Sequence, residues 1–397
     1  MTTVGPSTDN GGLARPYHRD MTPEKRPGIP LGRLIGVPLY LAPSWFVVAA
    51  IVIYIFEPQV ASSTDVGRPA TFVVAAAFVL LLLVSVLVHE MAHAGAALAL
   101  GMPVKEIVAT LWGAHTQFED EAPTPGRSAV VAVVGPVSNA ILAGIGVLAL
   151  PLLDGSVTRL LAYALIVTNA FVAIFNLLPG LPLDGGRIVE SGVWALTGRR
   201  WRGTLVAGWC GRVVAVAVLL WFIALPLTER RTPSIFNLVW SVLIAGMLWQ
   251  GASGAIAVGR VRSSAERLDL AKYTVPALGC PAVSAQWQDV DASSEVHLVA
   301  VDVDGRPVGL LSPTSRRQIE AASQPPPRGT PLAAVMTVLD PSVTLLASAS
   351  GPDVLAALAS TPAHTYVVLD QRGDVVGLAQ GQQLADAVTT RARTAAP

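Results

Sequence analysis

The chain has 397 residues, 52% of them hydrophobic and 14% charged, with basic and acidic groups in balance. That is far more apolar than a soluble protein of this length, and with no net charge and no basic run the chain is not built to hold nucleic acid. Its two cysteines, Cys210 and Cys280, form no CxxC, which argues against a disulfide framework and a thiolate zinc site.

The first 28 residues are rich in Pro, Gly, Thr and charge, with no apolar core of a signal peptide, and read as a disordered cytosolic tail. Six apolar stretches, near 39–57, 71–100, 128–152, 157–178, 207–226 and 235–258, are each about long enough to cross a bilayer. The fold class is therefore a polytopic α-helical membrane protein, with its six-span core over 29–258. Arg15, Arg19, Lys25, Arg26 and Arg33 precede the first span, and Arg187, Arg199, Arg200 and Arg202 follow the fourth. The opposite loops hold only Arg68, Arg159, Arg230 and Arg231. The positive-inside rule then makes both termini cytoplasmic and places the inner end of the second span toward the cytosol. Twenty-four arginines against three lysines, with abundant Ala and Val, point to a GC-rich bacterial source, so the expected location is a bacterial cell membrane.

That inner end carries His89-Glu90-Met91-Ala92-His93, directly after eighteen uncharged residues, Thr71 to Val88. Ionisable groups at membrane depth are costly and mark function. On a helix, residues four apart share a face, so the two imidazoles can converge on one Zn²⁺ while Glu90 reaches a water bound to it. The bland alternative is a pair of histidines packed at a helix end. A catalytic zinc needs a third protein ligand and an open position. Asn176-Leu177-Leu178-Pro179-Gly180-Leu181-Pro182-Leu183-Asp184-Gly185-Gly186, following the fourth span, offers Asp184. Its prolines stop the helix, and Gly185 and Gly186 are expected to supply the backbone turns that aim the carboxylate. Alone, Asp184 would read as a capping aspartate; beside a membrane HExxH it reads as the third ligand. Gly135-Pro136-Val137-Ser138-Asn139 places an amide inside the third span, where Asn139 either contacts substrate or a ligand or makes an interhelical hydrogen bond.

After about residue 260 charges, prolines and short β-rich runs replace the long apolar stretches, marking a separate cytosolic α/β domain over 259–397. It contains a repeat: Val301-Asp302-Val303-Asp304-Gly305-Arg306-Pro307-Val308-Gly309-Leu310 recurs as Leu369-Asp370-Gln371-Arg372-Gly373-Asp374-Val375-Val376-Gly377-Leu378. Each copy predicts a hairpin, and helices are expected over 350–360 and 382–390. The pattern resembles a pair of CBS modules with a shortened first copy.

HEMAH, GPVSN and NLLPGLPLDGG, in this order over residues 29 to 258, resemble the site-2 protease (M50) family of intramembrane zinc metalloproteases, in the branch with a C-terminal CBS pair. The resemblance implies that His89, His93 and Asp184 bind one zinc ion per chain and that Glu90 is the catalytic base. It implies an endopeptidase acting on single-span membrane proteins already cut by another protease, such as membrane-anchored transcriptional regulators or anti-sigma factors. Asn139 and Asn176 are candidates for contacting substrate or supporting a ligand. Residues 107–116 lie where the family carries a membrane-associated β-structure whose edge suits an unwound substrate strand. Here its glycine pair reads Gly113-Ala114, followed by His115, which either enters the active site or, the favoured reading, is an exposed loop histidine.

A CBS pair implies an adenine nucleotide. The acidic residue that would meet the ribose is missing from both Ser312-Pro313-Thr314-Ser315 and Gln380-Gly381-Gln382-Gln383, which ranks a structural role, or a homodimer through the tail, above nucleotide sensing. The alternatives to a protease are a membrane zinc transporter, which would not require the HExxH glutamate, and a non-proteolytic binder of membrane proteins, which would not require all four residues.

Overall fold

The computed structural model describes residues 28–110, 113–118, 124–228, 232, 234–290, 294–340 and 343–394. The expected amino-terminal tail, apart from Gly28, and Arg230 and Arg231 lie outside the described residues. The chain divides into two compact units, Met1–Glu121 with Ser138–Asn169, and Ala122–Val137 with Ala170–Pro397.

The first unit opens with β1 (Ile29–Leu34) and β2 (Val37–Leu41), then α1 (Ser44–Ser63), α2 (Arg68–Ala99), β3 (Val104–Thr110) and β4 (Gly113–Phe118). It also takes in the later part of α3 (Pro125–Ala149) and the greater part of α4 (Ser156–Asn176). Its sheet runs β1-β2-β3-β4, with β2 and β3 parallel and the outer pairs antiparallel. The first span was expected from residue 39, but α1 begins at Ser44. Residues 37–41 alternate buried and half-buried side chains, the period of a strand, and pair with neighbours on both sides. Val37, Leu39 and Ile107 pack on Ala94, so the sheet rests on the residue that follows His93. Farther along α2, Val74 and Ala75 pack with Val60 of α1 and with Val157, Leu160 and Leu161 of α4. Gly101, at φ +74°, supplies the left-handed residue just beyond the end of α2.

The second unit continues with α5 (Asp184–Thr197), α6 (Arg200–Thr228) and α7 (Ile235–Ala265). Six helices of the described chain are long and apolar enough to span a bilayer: α1, α2, α3, α4, α6 and α7. At 14 residues α5 is too short to do so. Helix α6 starts before its expected window and α7 ends after its own, at the ends that carry Arg200, Arg202, Arg260 and Arg262, where the helix continues beyond its apolar part. On α2, Phe72, Val73, Leu80 and Val84 are exposed while Val74, Ala75, Phe78, Ser85 and His89 are buried. An apolar outer surface around a partly polar interior is the inverse of a water-soluble helix and suits lipid contact.

The tail comprises β5 (Thr274–Pro281), β6 (His297–Val301), β7 (Pro307–Leu311), α8 (Pro313–Glu320), β8 (Thr337–Val338), β9 (Thr344–Leu346), α9 (Gly351–Ser360), β10 (Thr365–Leu369), β11 (Val375–Gln380) and α10 (Gly381–Thr394). Its strands form one sheet, β8-β7-β6-β5-β11-β10-β9. The sequence repeat is a repeat of structure. Antiparallel hairpins β6–β7 and β10–β11 carry a register shift at corresponding points, and Gly305 and Gly373 turn at φ +76° and +89°. Asp302 and Asp370 brace the turns alike, each carboxylate accepting the backbone N–H groups two and four residues on.

Candidate metal centre

His89, Glu90 and His93 are each 7% exposed, deep on the inward face of α2. The i, i+4 spacing brings the two imidazoles together at 82° between ring planes, with Nε2 of each 3.0 Å from the other. Two nitrogens held about 2.0–2.1 Å from one tetrahedral ion would stand about 3.3 Å apart, so this pair fits a shared metal.

The other side of the His89 ring is also specified. Asn139 Oδ1, from α3, lies 2.5 Å from His89 Nδ1, and Asn139 Nδ2 donates to Asn169 Oδ1 of α4 at 2.8 Å. Asn169 Nδ2 donates to Ser85 Oγ and to the Leu165 carbonyl, and Ser85 in turn donates to the Leu81 carbonyl. Asn169 is fully buried, and Asn139 and Ser85 are 1% and 4% exposed. Leaving one such group unpaired would cost about 1–3 kcal/mol. The amide placed by sequence in the third span thus faces a histidine of the second. Asn169 and Ser85 were missed by sequence reading. The available signals were helical: Asn169 lies two turns before Asn176, and Ser85 one turn before His89 on the same face.

Asp184, in the second unit, is the first residue of α5, and its setting is built by close packing. The Leu181–Pro182 peptide is cis, and Leu181 N–H donates to the Ala207 carbonyl of α6 at 3.0 Å. Gly180 lies against Gly211 of α6, where an added Cβ would fall 2.5 Å from the Gly211 Cα, and a Cβ at Gly251 of α7 would meet the Pro182 ring at 2.6 Å. Leu183 is buried with Ala215 and Leu248. Gly185 and Gly186 were expected to provide turns. Instead neither has a positive φ, and both are helical residues with no space for a side chain: a Cβ would sit 2.4 Å from the Leu177 and Leu178 carbonyl oxygens at Gly185, and 2.2 Å from Leu181 N at Gly186. One and a half turns on, buried Glu190 accepts from Thr204 Oγ1 at 2.6 Å and Arg200 Nε at 3.3 Å, fastening α5 to α6.

Asn176 closes α4, immediately before this loop. His115 lies in β4, opposite Val108 of β3, so its backbone belongs to a strand and not to a loop; its side chain is outside the described residues.

A helix long and apolar enough to span a membrane, with two facing imidazoles and an amide set on one ring, and a carboxylate presented by a closely packed loop, are the residue types of a polytopic membrane metallohydrolase. The sequence model of Peptidase family M50 matches residues 77–159 and 151–221. The chain is 26% identical over 382 residues to "Putative zinc metalloprotease sll0528" of Synechocystis sp., covering 92% of this chain and 96% of that protein. It is 33% identical over 236 residues to "Putative zinc metalloprotease Rip3" of Mycobacterium tuberculosis, covering 57% of this chain and 58% of that one. Among solved structures, the site-2 protease from Methanocaldococcus jannaschii aligns at TM-score 0.41 and 22% identity, over 57% of this chain and 94% of its own. Over residues 77–221 the chain is thus similar to peptidase family M50, and over nearly its whole length to a zinc metalloprotease of Synechocystis sp..

Proposed function

We propose that His89, His93 and Asp184 hold one zinc ion and that Glu90 acts beside it as general base and acid. The chain is an intramembrane zinc endopeptidase of the M50 type. The observation that carries the residue assignment is the buried pair His89 and His93, nitrogens 3.0 Å apart, with Asn139 on the far side of the first ring. The rigid loop that presents Asp184 supports that residue as the third ligand, since it is packed too tightly to be a mere exit from the membrane.

Zinc, when bound, supplies Lewis acidity that polarises the scissile carbonyl and acidifies water. The remaining work falls to the chain. Glu90 takes the proton of the attacking water and hands it to the departing amide nitrogen, a role worth on the order of 10²–10⁴ in rate. Asn139 keeps His89 oriented. Strand β4 is the outer strand of its sheet on that side, and an unwound substrate segment adds to it by main-chain pairing.

Substrates in this reading are single-span membrane proteins released by an earlier cut, such as membrane-anchored transcriptional regulators, in a bacterial membrane with both termini cytoplasmic. The tail is a CBS pair with a structural or dimerising role. In its first copy Ser312 uses its hydroxyl to cap α8, accepting Ser315 N–H at 3.0 Å, which speaks against a ribose contact there.

The test uses purified protein in liposomes with a helix-destabilised single-span substrate. Cleavage that a zinc chelator stops and added Zn²⁺ restores is the expected result; zinc flux into the liposomes without cleavage would mean a transporter.

A further inference from the structure

We propose that Asn169 and Ser85 are positioning residues that fix, through Asn139, which nitrogen of His89 is presented to the metal; this rests on the zinc reading of the HExxH site. An amide at position 139 facing an imidazole has two orientations. With its oxygen toward the ring it accepts the Nδ1 proton and leaves the lone pair on Nε2, the nitrogen that faces His93. With its NH₂ toward the ring it favours the opposite tautomer, whose Nε2 carries a proton and cannot ligate.

The choice is made farther away. Two groups in this hydrogen-bonded series are backbone carbonyls, which only accept: Leu81 O, receiving the Ser85 hydroxyl at 2.9 Å, and Leu165 O, receiving Asn169 Nδ2 at 2.9 Å. With its proton committed to Leu81, Ser85 Oγ accepts from Asn169 Nδ2 at 3.1 Å. Both acceptors thus call for the NH₂ of Asn169, and its oxygen must face Asn139. Asn139 therefore donates to Asn169 and turns its oxygen to His89. Reversing any member would set oxygen against oxygen in a buried, apolar place, where neither atom has water to turn to. The series joins α2, α3 and α4 and returns to α2 one turn before the ligand, so all its members lie in the first unit. Such partners behind a metal-bound histidine set its tautomer and tilt.

The test measures zinc dissociation constants of the full-length protein by chelator competition. Asn169→Leu, which keeps the branching at Cγ and removes the hydrogen bonds, is expected to weaken zinc binding by about 10- to 100-fold, and Ser85→Ala to weaken it less, in the same direction. In an Asn139→Leu background the Asn169→Leu change is expected to add nothing, because the series is already cut. In the cleavage assay the loss falls on kcat at saturating zinc, with KM for substrate unchanged. Zinc binding by Asn169→Leu equal to wild type would overturn the proposal. So would an equal loss in both backgrounds, which would mean that Asn169 acts by packing α4. Should Asn169→Leu fail to fold, Ser85→Ala decides: wild-type affinity overturns the proposal, and weakening that vanishes in the Asn139→Leu background supports it. A wild-type protein that binds no zinc would sink the metal reading itself, a distinct result.

Discussion

Residue by residue, the zinc site proposed above divides by what each atom can donate. His89 and His93 offer nitrogen lone pairs from one face of α2, and Asp184 offers a carboxylate from a loop gripped by two helices. His93→Ala is expected to reduce zinc from about one ion per chain to almost none by elemental analysis, since two ligands rarely hold a catalytic zinc. Asp184→Asn, which keeps the shape and loses the charge, is expected to weaken binding severalfold or more while leaving the helices' circular dichroism unchanged; full zinc affinity in that variant would remove Asp184 from the ligand set. A titratable group in the tail gives a pH effect of definite sign. Burial, and secondarily the Arg316 charge, hold the His297 imidazole below its ordinary value of 6.5. The fold thus favours the neutral ring. Its contribution to stability is complete above the ordinary value and is lost as pH falls through the lowered one. The hydrogen-exchange protection factors of β6 amides, with the intrinsic rate at each pH divided out, should fall on acidification in the wild type and lose that component in His297→Gln. The HEMAH spacing was legible because one helical turn is a local relation. The Asn169–Ser85 contact was not, because it joins residues 84 apart in sequence and only tertiary packing creates it.

At the scale of elements the decisive piece is the loop from Leu177 to Asp184. Prolines and glycines in the sequence announced a broken helix, and the break between α4 and α5 lies where those residues put it. Their manner of working was not legible. Gly185 and Gly186 read as residues of backbone turns, yet their backbone is ordinary helix and what matters is the missing Cβ, a fact about neighbours and not about φ. Gly186→Ala is therefore expected to displace Leu181 and the start of α5 and to lower zinc occupancy, whereas Gly192→Ala, with nothing within 4 Å, should bind zinc as wild type does. Equal zinc content in the two variants would refute this account of the loop. The start of α1 was misplaced for a related reason: hydropathy alone does not separate a buried strand from the beginning of a span, and residues 37–41 satisfy both until their alternation is matched to partners.

At the scale of the molecule, α7 runs unbroken for 31 residues, about 46 Å, and reaches both the loop and the tail. Near its middle Leu248 packs on Leu183 and Gly251 on Pro182; at its end Ala265 lies in the tail core with Val354, Tyr366 and Leu384. A Cβ on Gly351 would fall 1.6 Å from the Ala265 carbonyl oxygen, so α9 is seated directly on the end of α7. Movement of the tail should thus be felt at the Asp184 loop. Gly351→Leu is expected to change the rate of cleavage by severalfold while zinc content stays at the wild-type level, a split seen by running both assays on one preparation. The six spans and the repeated hairpin were legible because each depends on composition or local periodicity. That β5 would join the two repeats into one sheet was not, since the pairing of β5 with β11 links strands roughly a hundred residues apart.

The mechanism proposed is peptide-bond cleavage at a site of this chain that would hold zinc, with Glu90 as the proton carrier. Its most direct test compares wild type with Glu90→Gln for zinc content and for cleavage of a single-span substrate in liposomes. Equal zinc in both, with product from the wild type alone, is the expected result. Product from Glu90→Gln at the wild-type rate would contradict the account.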